Sequence, residues 1–231
     1  MTASLQKTVA RLDQQYADAD TPELLRAVLL KEFPQRIAVV SSFGTEAAVL
    51  LDLVATINPH VPVLFIDTAK LFPQTLDYKD RLVARLGLTD VRVLRPDRQG
   101  QDYLDPEGSL WRTNPDGCCF LRKTMPLETG LAGFDAWISG RKRYHGAGRS
   151  DLPLFEVQDG RVKINPLAGW TQDAVEDHLR HGGLPPHPLA EAGYRSVGCY
   201  TCTRAVADGE AVRAGRWAGL EKTECGIHNR P

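Results

Sequence analysis

Four short apolar runs limit what this chain can fold into more than any other feature. Residues 37–41, 61–66, 91–94 and 137–139 have the length and character of strands in a buried parallel sheet, most clearly the β-branched run 37–41. Apolar residues recur at helical spacing from 46 to 57, and a second helix is predicted over 73–86. Strand and helix in alternation, with short connections, predict an α/β fold with a parallel sheet and helices on both faces.

The flanks are read the same way. Leu5, Val9, Leu12 and Tyr16 define an opening amphipathic helix, and Thr21-Pro22-Glu23 reads as N-cap, N1 proline and early acid of a second one reaching about residue 31. After Asp151 the pattern changes: 155–164 reads as a hairpin around Asp159-Gly160, and a helix near 172–181 precedes a Gly/Pro-rich stretch. From Gly193 onward the chain is cysteine-bearing, rich in glycine and arginine, and nearly without periodicity. The 231 residues therefore predict a single domain, 1–231, with 203–231 as a mobile catalytic C-terminal tail.

Bulk charge narrows the function. A formal net charge of −1 argues against nucleic-acid and membrane-surface partners. The N-terminus has no apolar leader core, and no stretch approaches a membrane span, so a reducing, cytoplasmic setting is expected. In that setting paired cysteines mean metal or redox chemistry more often than disulfides.

Two loops follow predicted strands, where parallel sheets bind ligands. Ser41-Ser42-Phe43-Gly44-Thr45-Glu46 sits immediately before a helix, with hydroxyls and free N–H groups that suit a phosphate; an ordinary capped turn is the other reading. Asp67-Thr68 ends the second strand and is open to the same two readings. Arg141, Lys142, Arg143 and Arg149 flank a Gly146-Ala147-Gly148 hinge, a cationic loop able to close over an anion.

Four of the five cysteines form two couples, Cys118-Cys119 and Cys199-x-x-Cys202. Adjacent side chains tend to point apart, which strains closure of Cys118 and Cys119 onto one tetrahedral ion. An iron–sulfur cluster offers several metal corners, so a [4Fe–4S] cluster, one per chain, is the favoured reading and structural zinc the alternative. Arg122 and Lys123 bring positive charge beside that segment. Cys225 stands alone in a polar setting too hydrophilic for a core, with Lys222 and His228 near it, and reads as a nucleophile for group transfer.

Joined, these motifs resemble the assimilatory adenylyl-sulfate reductases of the phosphoadenylyl-sulfate reductase superfamily. The resemblance runs from about residue 41 to 228. It is carried by Ser-Phe-Gly-x-Glu (42–46), Asp-Thr before Leu-Phe-Pro-x-Thr (67–75), Ile-Ser-Gly-Arg (138–141) and Asn-Pro-Leu (165–167). Further along it rests on Gly-Cys-x-x-Cys-Thr-Arg (198–204), Arg-Ala-Gly-Arg-Trp (213–217) and Glu-Cys-Gly-Ile-His (224–228). One departure is Asp67-Thr68-Ala69, where the family usually has Asp-Thr-Gly.

The resemblance implies a fold of the adenine nucleotide α-hydrolase, PP-loop type with a flexible tail. It implies thioredoxin-dependent reduction of adenosine 5′-phosphosulfate to sulfite and AMP through an S-sulfocysteine on Cys225, in assimilatory sulfate reduction and cysteine biosynthesis. By the same resemblance Cys118, Cys119, Cys199 and Cys202 hold the cluster, with Lys123 linking it to the active site. Ser42, Phe43, Gly44, Thr45, Glu46, Asp67, Thr68, Arg141, Arg143, Arg213 and Arg216 bind substrate, and His228 lies by the nucleophile. A homo-oligomer is left open. The rival readings are a 3′-phosphoadenylyl-sulfate reductase of the same mechanism, an adenylating ATP pyrophosphatase, and a zinc-bearing binding module.

Overall fold

The computed structural model describes residues 2–146, 148–220 and 222–228. Ala147, inside the expected hinge, and Glu221 and 229–231 of the expected tail lie outside the described residues.

Six strands form one sheet: β1 (Ile37–Ser41), β2 (Val63–Ile66), β3 (Val91–Leu94), β4 (Ala136–Ser139), β5 (Phe155–Gln158) and β6 (Arg161–Ile164). Their order is β3-β2-β1-β4-β6-β5, and every neighbouring pair is parallel except the β5–β6 hairpin. The hairpin turns on Asp159 and Gly160, both at positive φ (50° and 71°), the backbone that a two-residue turn between twisted strands requires.

Both faces of the central strands are buried, as continuous apolar runs demand. Ile37 and Val39 of β1, with Val63 and Phe65 of β2, join the larger core, whereas Ala38, Leu64 and Trp137 point into a second one. Helices α1 (Thr2–Tyr16), α2 (Thr21–Ala27), α3 (Ala47–Ile57) and α4 (Pro73–Leu86) contribute to the larger core.

Two local expectations are corrected. The N-cap of α2 is Asp20, whose carboxylate accepts from Glu23 N at 2.7 Å; Thr21 sits one position inside, its hydroxyl donating to Pro166 O and accepting from Trp170 Nε1. Most of 98–130 is helical, a stretch with no predicted element. They form α5 (Arg98–Leu104), α6 (Leu110–Thr113), α7 (Pro115–Cys119), a π-helical turn (Phe120–Thr124) and α8 (Met125–Gly130). A last helix, α9 (Gln172–His181), falls where its pattern placed it, capped by Thr171. Among the described residues no helix is long and apolar enough to cross a membrane.

Strand order reverses between β1 and β4, and the crevice at such a switch is where open parallel sheets take ligands. Described residues of the segment 195–228 fold back over that crevice.

Candidate active site

A cavity of about 220 Å³ opens at the C-terminal ends of β1 and β4. One wall is the loop after β1. Phe43 takes a left-handed backbone (φ 48°), donates its N–H to Ser41 Oγ at 3.2 Å, and buries its ring edge-on against Phe65 at 5.3 Å. That anchor turns Ser42, Gly44, Thr45 and Glu46 toward the cavity, with the first turn of α3 behind them. Thr45 donates to Arg195 O at 2.9 Å, tying this wall to the opposite one.

Glu46 organises the floor. It pairs with Lys142 Nζ at 2.7 Å and His145 Nε2 at 3.0 Å. Burial opposes its ionisation, but His145 and Lys142 outweigh burial and hold it at about 2. Burial likewise pushes Lys142 below its ordinary value, only partly resisted by Glu46.

The far wall is cationic. Arg141, Arg149, Arg195, Arg213 and Arg216 line the cavity together with the carboxylate of Glu224. Glu224 is clamped by Arg149 and, at 3.3 Å, by Arg213. Burial would raise its carboxyl, yet Arg149 and Arg213 keep it below the usual range. Burial and the neighbouring Arg149 push Arg213 down to about 10 despite Glu224. The Arg216 guanidinium sits over Trp217, 4.5 Å from the ring centre. A Cβ on Gly198 would stand 2.4 Å from its guanidinium, so only glycine admits that close approach.

Cys225 lines the same cavity although it is 7 % exposed. Its polar sequence neighbours pointed to an open position; ion pairs satisfy them and leave the sulfur buried with Cys119 and Trp217. A hydrogen bond from Cys119 outweighs burial and, with Lys123 and Arg216, holds Cys225 toward the thiolate, while Cys119 is raised. Lys123 is delivered by the π-helical turn. Its neighbour Arg122 is locked inward on Asp105 Oδ2 (2.7 Å) and Thr68 O (3.0 Å). Burial works against the charge of Lys123, but Cys225, Cys199 and Cys119 outweigh it and the ammonium is stabilised. His228 stacks on Trp137 at 6.2 Å, and burial together with Lys163 and three arginines keeps it neutral, well below its ordinary value.

A metal cluster needs its donors gathered, and among the described residues no group of three or more His, Cys, Asp or Glu side chains stands ready to hold an ion. The cysteines are all free and near one another: Cys118 feels the charge of Cys199 and Cys202, and Cys202 packs against Cys119. Buried donors without a partner stand beside them, including Arg122 Nε, Thr203 Oγ1 and Trp217 Nε1. Such N–H and O–H groups are what cluster sulfurs accept from, so the donor chemistry fits. Cys119 is the exception in orientation, because its thiol now serves Cys225.

The expected site residues divide. Ser42, Gly44, Thr45, Glu46, Thr68, Lys123, Arg141, Arg213, Arg216, Cys225 and His228 all line the cavity. Phe43, Asp67 and Arg143 do not. The Phe43 ring is core; Asp67 accepts from Ala69 N and pairs with Arg95; Arg143 Nε donates to Leu152 O at 2.9 Å. Lys142 and Arg149 reach the cavity in place of Arg143, and His145, Ser139 and Glu224 join them unforeseen. Glu224 carried a signal, an acid beside the lone cysteine in an arginine-rich stretch.

Comparison with known proteins agrees with this geometry. The phosphoadenosine phosphosulfate reductase domain matches residues 36–205. A protein of Mesorhizobium japonicum named adenosine 5′-phosphosulfate reductase is 46 % identical over 219 residues, 95 % of this chain and 86 % of its own. One of Gloeobacter violaceus named phosphoadenosine 5′-phosphosulfate reductase is 37 % identical over 96 % of this chain and 94 % of its own. The crystal structure of a phosphoadenylyl-sulfate reductase from Candida auris, in a phosphate complex, superposes with a TM-score of 0.72 at 28 % identity, covering 86 % of this chain and 97 % of that one.

Proposed function

This chain belongs to the phosphoadenosine phosphosulfate reductase family, and from that premise we propose that it reduces adenosine 5′-phosphosulfate to sulfite and AMP through a sulfonated Cys225. One observation carries the reading: Cys225 lines the same cavity as the loop after β1, together with Lys123, Arg213, Arg216 and His228. Adenosine lies toward the loop and the phosphosulfate toward the arginines, whose surplus charge suits an anion.

The Cys225 thiolate attacks the sulfate sulfur; a sulfur–sulfur bond forms, the sulfur–oxygen bond to phosphate breaks, and AMP leaves with that electron pair. Lys123 and Arg216 stabilise the charge on the transferred group. A dithiol reductant of the thioredoxin class then attacks the Cys225 sulfur and releases sulfite. Its second thiol resolves the mixed disulfide, so the two electrons come from the dithiol. Because Cys225 is buried, the segment that carries it, 203–220 and 222–228, opens for the second step. Free thiols throughout suit a reducing compartment, the cytoplasm.

Cys118, Cys119, Cys199 and Cys202 are the residues to hold a [4Fe–4S] cluster. When bound it supplies fixed charge beside the active site rather than the reducing electrons. The relatives named for the 3′-phosphorylated nucleotide favour a second reading, in which that nucleotide is the substrate.

The test is mass spectrometry of the enzyme mixed with adenosine 5′-phosphosulfate without reductant. An SO3 adduct on the Cys225 peptide is expected; an unmodified peptide alongside normal sulfite formation overturns the mechanism. The ratio of specificity constants for the two nucleotides, expected to favour the unphosphorylated one, decides the substrate.

A further inference from the structure

We propose that Gln158, braced by Lys163, is a positioning residue that holds the nucleophile's turn against the sheet through the Ile227 carbonyl. Its kinetic consequence rests on the reading of Cys225 given above.

The argument begins with the pleat. Along the hairpin Phe155, Val162 and Ile164 point into the larger core, which sends Glu156, Gln158 and Lys163 to the opposite face. There α8 packs mainly on β2 and β3. The part over β4 is covered instead by the nucleophile's own turn, with Ile227 packed on the second core and His228 on Trp137.

Lys163 has 0 % exposure and sits 4.9 Å above the Trp137 ring. It donates to Gln158 Oε1 at 2.7 Å and pairs with Glu156 at 3.1 Å. A lysine ammonium accepts nothing, so its contact fixes which end of the amide is which. Gln158 Nε2 must then face away from Lys163, and it donates to Ile227 O at 2.7 Å. Burial pushes Lys163 down to about 8 in spite of Glu156. Keeping a desolvated ammonium merely to orient one amide is costly unless that amide's direction matters.

The turn is held from two sides. Arg149 and Arg213 grip Glu224, the residue before Cys225, and Gln158 grips Ile227, two residues after it. The turn is closed by His228 N donating to Cys225 O at 3.0 Å. The arginine grip lies in the wall that an anionic ligand contacts, and so competes with it. Gln158 does not line the cavity, and its grip faces no such competition.

The experiment compares wild type with Gln158→Glu, which keeps the Lys163 contact but sets a carboxylate against the carbonyl, and with the near-isosteric Gln158→Leu. Two rates on the Cys225 peptide are read by mass spectrometry: alkylation by iodoacetamide in the resting enzyme, and single-turnover sulfonation at saturating adenosine 5′-phosphosulfate. AMP affinity and melting temperature are read alongside. Loss of the clasp is expected to speed alkylation about fivefold and to slow sulfonation about tenfold, with AMP affinity unchanged and the melting temperature lowered by only about 2–4 °C. Wild-type values for both rates in both variants overturn the proposal. So does a fall in sulfonation that only tracks weakened AMP binding or melting. If wild type itself takes no sulfonate on Cys225, the functional reading fails, and alkylation alone decides the clasp: faster in the variants upholds it, unchanged overturns it.

Discussion

The loop after β1 and the segment 195–228 face each other across one cavity, but they are held by different forces. The first is continuous with a strand that is hydrogen-bonded on both sides, and it is nailed down by the Phe43 ring in the core. The second contains, among its described residues, one short 3-10 turn and two isolated bridges, Leu71 with Cys199 and Thr203 with Arg216. Its buried apolar contacts are few, and what fastens it is polar: Arg149 on Glu224, Gln158 on Ile227 and Thr45 on Arg195 O, with Arg213 bracing Thr223 O and Glu224 from within the segment. Apolar burial and strand pairing make a rigid receptor. Polar contacts worth about 1–3 kcal/mol net each can be exchanged for water, which suits a wall that must open.

The sharpest test removes chemistry from the second wall alone. Cys225→Ser is expected to lower sulfite release by about 10⁴-fold or more, while AMP binding, carried by the first wall, stays at the wild-type level in calorimetry. A parallel loss of AMP affinity breaks the division of labour.

Stability separates the walls next. Phe43→Ala empties a fully buried site and should cost about 3–5 kcal/mol in denaturant unfolding. Ile227→Ala, half-buried on the second wall, should cost about 1–2 kcal/mol. Equal costs would mean that both walls are core.

The same contrast governs what the sequence could reveal. Strands and helices on the first side were legible because their apolar residues repeat at 2 or 3.6 within a few positions. The signal Asn114-Pro115-Asp116, an N-cap, N1 proline and early acid like that of α2, was also present and marks α7, but 98–130 lacks the apolar stripe that would have drawn attention to it. Arg143 shares a cationic loop with Arg141 and the resemblance pairs the two, but only the backbone after β4 decides that Arg143 turns outward to Leu152. Glu156 and Gln158 alternate with apolar neighbours as on a half-exposed edge strand. What covers Gln158 is a turn some seventy residues later (69 positions separate it from Ile227), which no local pattern encodes.

Acid probes the scaffold behind the first wall. His187 is buried on α4, where Nδ1 accepts from Leu189 N at 3.2 Å and Nε2 meets Thr75 Oγ1 at 3.1 Å, an arrangement for the neutral ring. Burial, then Arg81, pushes it from 6.5 to about 4. The unfolded chain therefore takes up the proton first. This contribution is whole above pH 6.5, is lost as pH falls to about 4, and is constant below that. It amounts to about 3 kcal/mol. In urea titrations at a series of pH values, His187→Gln should lose that part of the slope; an identical slope in the variant would remove His187 from the account.

The smallest effect sits where the two walls meet. Ala69, exposed in the turn after β2, holds φ at 57°, a conformation that costs an L-residue about 1–2 kcal/mol and glycine almost nothing. The turn is made nonetheless by Asp67 accepting from Ala69 N and Thr68 Oγ1 accepting from Lys70 N. The same Thr68 hydroxyl lies 3.2 Å from Cys199 Sγ, and Lys70 O accepts from Tyr200 N, so the strained turn carries the second wall on the first. Ala69→Gly relieves the strain but gives the unfolded chain more freedom, which takes back about 0.4–1 kcal/mol. A net gain of about 0.5 kcal/mol in unfolding free energy is expected, with AMP affinity unchanged because Ala69 does not line the cavity. A loss of stability would show that the turn is shaped by its contacts with 199–200 rather than strained against them, and the two walls would then be one unit at this seam.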